Sequence, residues 1–306
     1  MSRPYFPLPG RLFPSPENRY IPSEFKVDKP MTLIAGYKCA DGAVLCADTQ
    51  LTVPGLLKYP ESKVWMHIGN KRPSLFFAYT GYDDYSHMCM EELTKAISQT
   101  PDESDMVRRT KEICRELHQR YHPLYKNPDK LGLELILVIQ MTKKVRLLHL
   151  RGPIVHTIHT FRCAGSGLFL GHAISRDFYY EAMGIEEAAR MAAYVLFRVK
   201  GNVDGVGLMS QVFLVSDKGY WQSLKKRDVE VLENVYAEYL RESRSVLLSC
   251  GNWGNVGAAK HFEAALGEMS TTLLQRRQEI DREYIERSKD LDEERARKNN
   301  EEGEET

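Results

Sequence analysis

The sequence predicts an α+β fold, and three observations carry that expectation. Apolar runs of strand length occur in blocks, and these blocks alternate with pairs of segments whose apolar residues recur at helical spacing. Strict strand–helix alternation, the mark of a doubly wound parallel sheet, is missing. With 306 residues, 42% hydrophobic and 27% charged, the chain can also bury a sizeable core.

The elements follow in order. Residues 32–38 (TLIAGYK) and 43–48 (AVLCAD) are apolar runs separated by Cys39, Ala40, Asp41 and Gly42, and Asp-Gly between such runs is a hairpin signal. Strands at 63–67 and 75–79, with a turn between them, complete an expected opening sheet of four strands. The period then changes. Tyr85, Cys89, Leu93, Ala96 and Ile97 share one helix face, Met106, Ile113, Leu117 and Tyr121 another, and Pro123 closes the pair. Strands return at 133–141, 145–150 and 153–163, and helices start near Leu168 and Glu186. The second of these helices carries a clean stripe of Ala188, Met191, Ala192, Val195, Leu196 and Val199. Strands at 211–216 and 220–224 and a helix at 229–247 end the domain.

Both ends of the chain differ from this core. The first thirty residues hold seven of the fourteen prolines, a density that blocks helix and predicts an extended arm. In residues 275–306, twenty of thirty-two side chains are Asp, Glu, Lys or Arg, which predicts a solvated helix fraying into an acidic tail. The expected organisation is an arm or propeptide at 1–31, a domain at 32–250 and a charged extension at 251–306.

Composition excludes several classes. Forty-two basic residues balance forty-two acidic ones, so there is no general electrostatic case for nucleic acid or an anionic membrane. The apolar runs are far shorter than the roughly 20 residues needed to span a bilayer. A continuous apolar h-region is missing from the N-terminal stretch, so no signal peptide is read there, and a cytoplasmic location is expected. The six cysteines (Cys39, Cys46, Cys89, Cys114, Cys163, Cys250) stand singly in apolar surroundings, which reads as packed, reduced thiols rather than a disulfide or zinc framework.

Several blocks resemble a known family. TLIAGYKCADGAVLCAD, from Thr32 to Asp48, resembles the start of a mature β-type subunit of the proteasome family, which are N-terminal-nucleophile hydrolases. Ser62-Lys63-Val64 ahead of a strand, Tyr79-Thr80-Gly81 ahead of a helix, and Cys163-Ala164-Gly165-Ser166-Gly167 ahead of another resemble further family blocks in the same order. The resemblance spans about residues 32–224. It implies a four-layer αββα sandwich, a threonine-dependent peptidase with peptides or unfolded proteins as substrates, and a ring-forming homo-oligomer open to an ATPase partner, with no cofactor or metal.

The implied chemistry has a physical logic. A threonine hydroxyl is a poor nucleophile until a base takes its proton, and an α-amino group with a pKa of roughly 7.7 to 8.0 suits that task near neutral pH. Inside a chain the same nitrogen is an amide, so Thr32 can act this way only once residues 1–31 are gone. By resemblance, Lys63 supplies a positive charge beside Thr32 and Asp48 keeps Lys63 charged. Gly81 N–H faces the developing oxyanion, Ser166 binds near the amine, and Asp204 supports the site.

The sequence also departs from the family. Met31 stands where self-processing members usually have Gly, and no Ser lies three residues beyond Asp204. The bland alternatives stay open: Thr32 as a strand former, Lys63 as edge protection, Asp48, Gly81 and Ser166 as turn residues, and the whole chain as a noncatalytic structural subunit. His118 and His122 share a helix face without a third ligand, and read as a solvated face. The stretch from Gly165 to Gly171 lacks the spacing of a nucleotide-binding loop.

Overall fold

The computed structural model describes residues 32–250, except 53–57, 70–72, 101, 122–132 and 143, together with helical positions between 264 and 282. The arm at 1–31, Pro123, His122 and the acidic tail lie outside the described residues.

β1 (Leu33–Cys39) and β2 (Gly42–Asp48) form the expected hairpin, turning at Ala40 and Asp41. They are joined by β10 (Phe161–Gly165), β11 (Ser210–Ser216) and β12 (Trp221–Ser223) in the order β10-β1-β2-β11-β12. The second sheet has the order β5-β6-β7-β8-β9, built from β5 (Val64–His67), β6 (Ser74–Thr80), β7 (Glu134–Gln140), β8 (Val145–Arg151) and β9 (Ile154–Thr157). Every pairing is antiparallel. A short hairpin of β3 (Gln50–Thr52) and β4 (Lys58–Pro60) lies between β2 and β5 in the chain.

Two expectations need correcting. The first four strands do not share a sheet: β1 and β2 belong to one and β5 and β6 to the other. The run at 153–163, read as one strand, is β9 in the second sheet and β10 in the first, joined by a crossing at 158–160. Pairing between strands distant in the sequence decided both, and the local apolar pattern is the same either way.

Alternation explains how the sheets stack. Leu33, Ala35 and Tyr37 of β1, with Val44 and Cys46 of β2, pack against α3 (Leu168–Phe178) and α4 (Ile185–Lys200). Leu75, Phe77, Leu135 and Leu137 of the second sheet pack against α1 (Asp83–Ser98) and α2 (Met106–Tyr121). The intervening residues Ile34, Leu45, Phe76, Ile136, Val138 and Phe213 form a third cluster between the two sheets. With both faces covered, every residue of β2 and β6 is buried. The sheets approach closely at Gly36, where a Cβ would lie 2.7 Å from Ile136 Cγ2. The whole predicted stripe of α4 is buried, and α5 (Lys226–Cys250) packs on α4.

The five cysteines whose side chains are described, Cys39, Cys46, Cys89, Cys114 and Cys163, are buried and free. Burial pushes the Cys39, Cys89 and Cys114 thiols up to about 12, so they behave as packed apolar groups rather than reactive thiolates. No helix among the described residues is long and apolar enough to cross a membrane.

The second sheet also contains a pH-sensitive residue. His149 of β8 is 2% exposed and its Nε2 has no hydrogen-bond partner. Desolvation lowers its pKa to about 4, assisted by the positive charges of Arg162, His156 and Arg151. The unfolded chain therefore binds a proton that the folded chain refuses between about pH 6.5 and about pH 4. Stability from this residue is complete above that window and falls as the pH drops through it, by about 3 kcal/mol in all. Denaturant titrations at pH 7.5 and pH 4.5 should show a smaller pH-dependent loss in His149→Leu than in the parent; equal losses would refute the assignment.

Candidate active site

Antiparallel pairing gathers one end of several strands. Thr32 directly precedes β1, Asp48 ends β2, Ser166 follows β10, and β11 begins at Ser210 opposite Asp48. In the second sheet Lys63 directly precedes β5, and Gly81 directly follows β6, the strand paired with β5. Residues far apart in sequence thus meet without a long loop.

Thr32, Asp48 and Lys63 are 2%, 0% and 4% exposed. The Thr32 hydroxyl donates to Asp48 Oδ1 and accepts from the Lys63 ammonium. Lys63 Nζ also donates to Asp48 Oδ1 at 3.2 Å, to Asp48 Oδ2 at 3.3 Å and to the Gln50 carbonyl. The Asp48 carboxylate is further held by three backbone N–H groups: Leu33 at 2.8 Å on Oδ1, and Gln50 at 3.0 Å and Gly207 at 3.1 Å on Oδ2. A buried carboxylate with this many donors has its direction fixed.

Burial lowers the Lys63 pKa below the usual lysine value, and the charge and hydrogen bonds of Asp48 oppose that shift. The ammonium therefore sits in a site that both weakens its hold on the proton and keeps a counter-charge beside it. Aimed at Thr32 Oγ1, it can stabilise negative charge that develops there.

Thr32 N–H donates to Ser166 Oγ at 3.0 Å, and Ser166 Oγ donates back to Thr32 O at 3.2 Å. Gly167 N–H also donates to Thr32 O, at 3.1 Å. This close docking depends on Gly165, whose φ is +88° and where a Cβ would lie 2.3 Å from Thr32 O. Only glycine tolerates both conditions.

The structure thus brings Thr32, Asp48, Lys63 and Ser166 together. Gly81 is linked through the backbone, since Tyr79 N–H donates to Lys63 O at 3.1 Å. No hydrogen bond among the described residues joins Gly81 to Thr32. Asp204 is a correction: it is exposed in the turn after α4, and this loop reaches the site instead through Gly207 N–H. The chain reverses at Gly205, φ +84°, before it arrives at Asp48.

Sequence reading missed Gly207, the Gln50 carbonyl and Gln211. Gln211 Oε1 accepts from Lys63 N–H at 3.1 Å while its Nε2 donates to Ser62 Oγ at 2.9 Å, pinning the Ser62–Lys63 segment to β11. Two of these act through backbone atoms, which leave no side-chain signature. The third is a polar residue on a strand, with no local pattern to mark it.

No family model matches the chain, and no curated protein matches it in sequence. Solved structures do resemble it. Anbu from Hyphomicrobium sp. strain MC1 is 14% identical, with a TM-score of 0.59 over 70% of this chain and 97% of that one. Anbu (ancestral beta-subunit) from Yersinia bercovieri is 13% identical, with a TM-score of 0.57 over 68% of this chain and 95% of that one. A helical assembly of the Anbu complex from Pseudomonas aeruginosa contains a chain 16% identical, with a TM-score of 0.58 over 69% of this chain and 95% of that one. At these identities the likeness shows a shared fold. It also corrects the resemblance to conventional proteasome β-type subunits: these solved structures are Anbu, one of them described as an ancestral beta-subunit, and the relationship is distant. In this chain the hairpin, Ser-Lys and Gly-Ser-Gly blocks lie at turns and strand ends, positions that the fold itself constrains.

Proposed function

We propose that this chain is an N-terminal-nucleophile amide hydrolase acting on peptides or unfolded proteins, with Thr32 Oγ1 as nucleophile once residues 1–31 are removed. One observation carries the reading: the Thr32 hydroxyl is held between a buried carboxylate, Asp48, and a buried ammonium, Lys63. The three apolar clusters support a four-layer αββα sandwich as the scaffold.

In the proposed reaction the freed Thr32 amine, positioned by Ser166, takes the Oγ1 proton as Oγ1 bonds to the scissile carbonyl carbon. Lys63 stabilises the charge on Oγ1 before attack, and Gly81 N–H receives the oxyanion. Collapse breaks the C–N bond. The leaving amine takes the proton, and water then hydrolyses the Thr32 ester. The Pseudomonas aeruginosa Anbu assembly supports a homo-oligomer for this chain too.

A noncatalytic reading is favoured by Met31, which stands where the Gly of self-processing relatives would be. Retention of 1–31 would leave the Thr32 nitrogen an amide without useful basicity. The experiment is intact mass and N-terminal sequencing of the protein from its own cells, followed by incubation with a peptide β-lactone. The expected result is a chain beginning at Thr32 that gains one lactone mass on Thr32. A chain that keeps residues 1–31 and takes no label overturns the hydrolase reading.

A further inference from the structure

The loop that replaces Asp204 at the site is held from its other side by α5. Lys200, the last residue of α4, forms an ion pair with Glu233 of α5, with side chains only 12% and 20% exposed. The same ammonium donates to the Leu208 carbonyl at 3.1 Å, and the Glu233 carboxylate also accepts from Ser210 Oγ at 2.7 Å. Within this loop Gly207 N–H donates to Asp48 Oδ2 at 3.1 Å, and Met209 N–H donates to Thr49 Oγ1 at 2.9 Å.

Leu208 is the non-glycine residue with positive φ among the described residues, at +58°, a conformation that L-residues avoid. Its side chain is 46% exposed, so apolar burial is a weak hold on that conformation. The polar anchors remain: Asp48 and Thr49 on one side, Lys200 and Glu233 on the other. Releasing the second pair lets Leu208 relax toward negative φ, and that rotation turns the adjoining Gly207 N–H away from Asp48.

We infer that the Lys200–Glu233 pair is a positioning device for the active site, holding the loop at 205–209 so that Gly207 N–H stays on Asp48. This rests on the nucleophile reading, because Asp48 matters to chemistry only if Thr32 reacts. Lys200 and Glu233 are positioning residues and touch neither substrate nor the reacting atoms. The consequence runs through geometry. With one fewer donor the Asp48 carboxylate is free to turn, and its hold on the Thr32 hydroxyl and on Lys63 loosens. Through Glu233, α5 gains a grip on the site.

The test uses protein whose N-terminus has been read as Thr32, and compares Lys200→Met and Glu233→Gln with the parent. An exposed pair on α5, Lys226–Glu230, is broken by Lys226→Met as a control. Two readouts are taken: hydrogen exchange of a peptide spanning 203–210, and the rate of peptide β-lactone labelling as a function of lactone concentration, which separates the limiting rate from the half-saturating concentration. The expected result is faster exchange in both test variants and a limiting labelling rate lowered roughly tenfold, as suits loss of a hydrogen bond to a charged group, with the half-saturating lactone concentration little changed. Lys226→Met should change none of these. Unchanged exchange in the test variants overturns the inference, as does faster exchange with an unaltered labelling profile. A parent that takes no label sinks the nucleophile reading itself, and this inference with it; a labelled parent with unaffected variants sinks the inference alone. A fall in melting temperature that accompanies slower labelling with the limiting rate unchanged would mark a merely structural role and counts against it.

Discussion

Thr32→Ala, made in a chain that begins at residue 32, should lower peptide hydrolysis by a factor on the order of 10⁴ or more, with the melting temperature almost unchanged. Alanine keeps the amine and the backbone bonds to Ser166 and Gly167, and removes only Oγ1 and a methyl group. The hydroxyl lost is the one held between Asp48 and Lys63, so nothing else at the site can replace it. Thr32→Ser should keep substantial activity, because it restores an oxygen in reach of the same partners. Wild-type turnover in the alanine variant, measured on purified protein free of contaminating peptidase, would remove Thr32 from the mechanism.

The second large effect separates Asp48 from Lys63. Lys63→Ala should lower turnover on the order of 10²–10⁴-fold, and Lys63→Arg should not rescue it, since a planar guanidinium cannot take the place of a compact ammonium. Asp48→Ala should do more: it abolishes activity and also costs about 3–5 kcal/mol of stability, because it strands a buried ammonium without a counter-charge. The sign of the pH response follows from Lys63. Its folded-state pKa already lies below that of a free lysine and drops further without Asp48, so the unfolded chain binds more protons and stability rises with pH. Asp48→Ala should therefore regain part of its lost stability between pH 7 and pH 9.5, more than the parent gains. The double variant Asp48→Leu with Lys63→Met should recover much of the stability and none of the activity. Equal melting temperatures for parent and Asp48→Ala would mean that the pair carries no structural weight.

The sequence alone determined the elements. Near-continuous apolar runs marked β1, β2, β6, β7 and β11, strands with both faces covered, and the 3.6-residue stripe marked α1, α2 and α4, each with one face that must be buried. Thr32, Asp48, Lys63 and Ser166 were singled out through the family resemblance, and the structure places them at strand ends with hydrogen bonds among them. What only the tertiary structure decided is partnership. Which sheet a strand enters depends on hydrogen bonds to residues remote in sequence, as with β9 and β10, and a strand's own residues read the same in either sheet. The site follows the same rule: the donors on Asp48 are backbone N–H groups of Leu33, Gln50 and Gly207, which any residue but proline possesses. Asp204 was singled out through the family resemblance, which compares side chains, and Gly207 was passed over because a backbone amide becomes specific only when the fold points it at something.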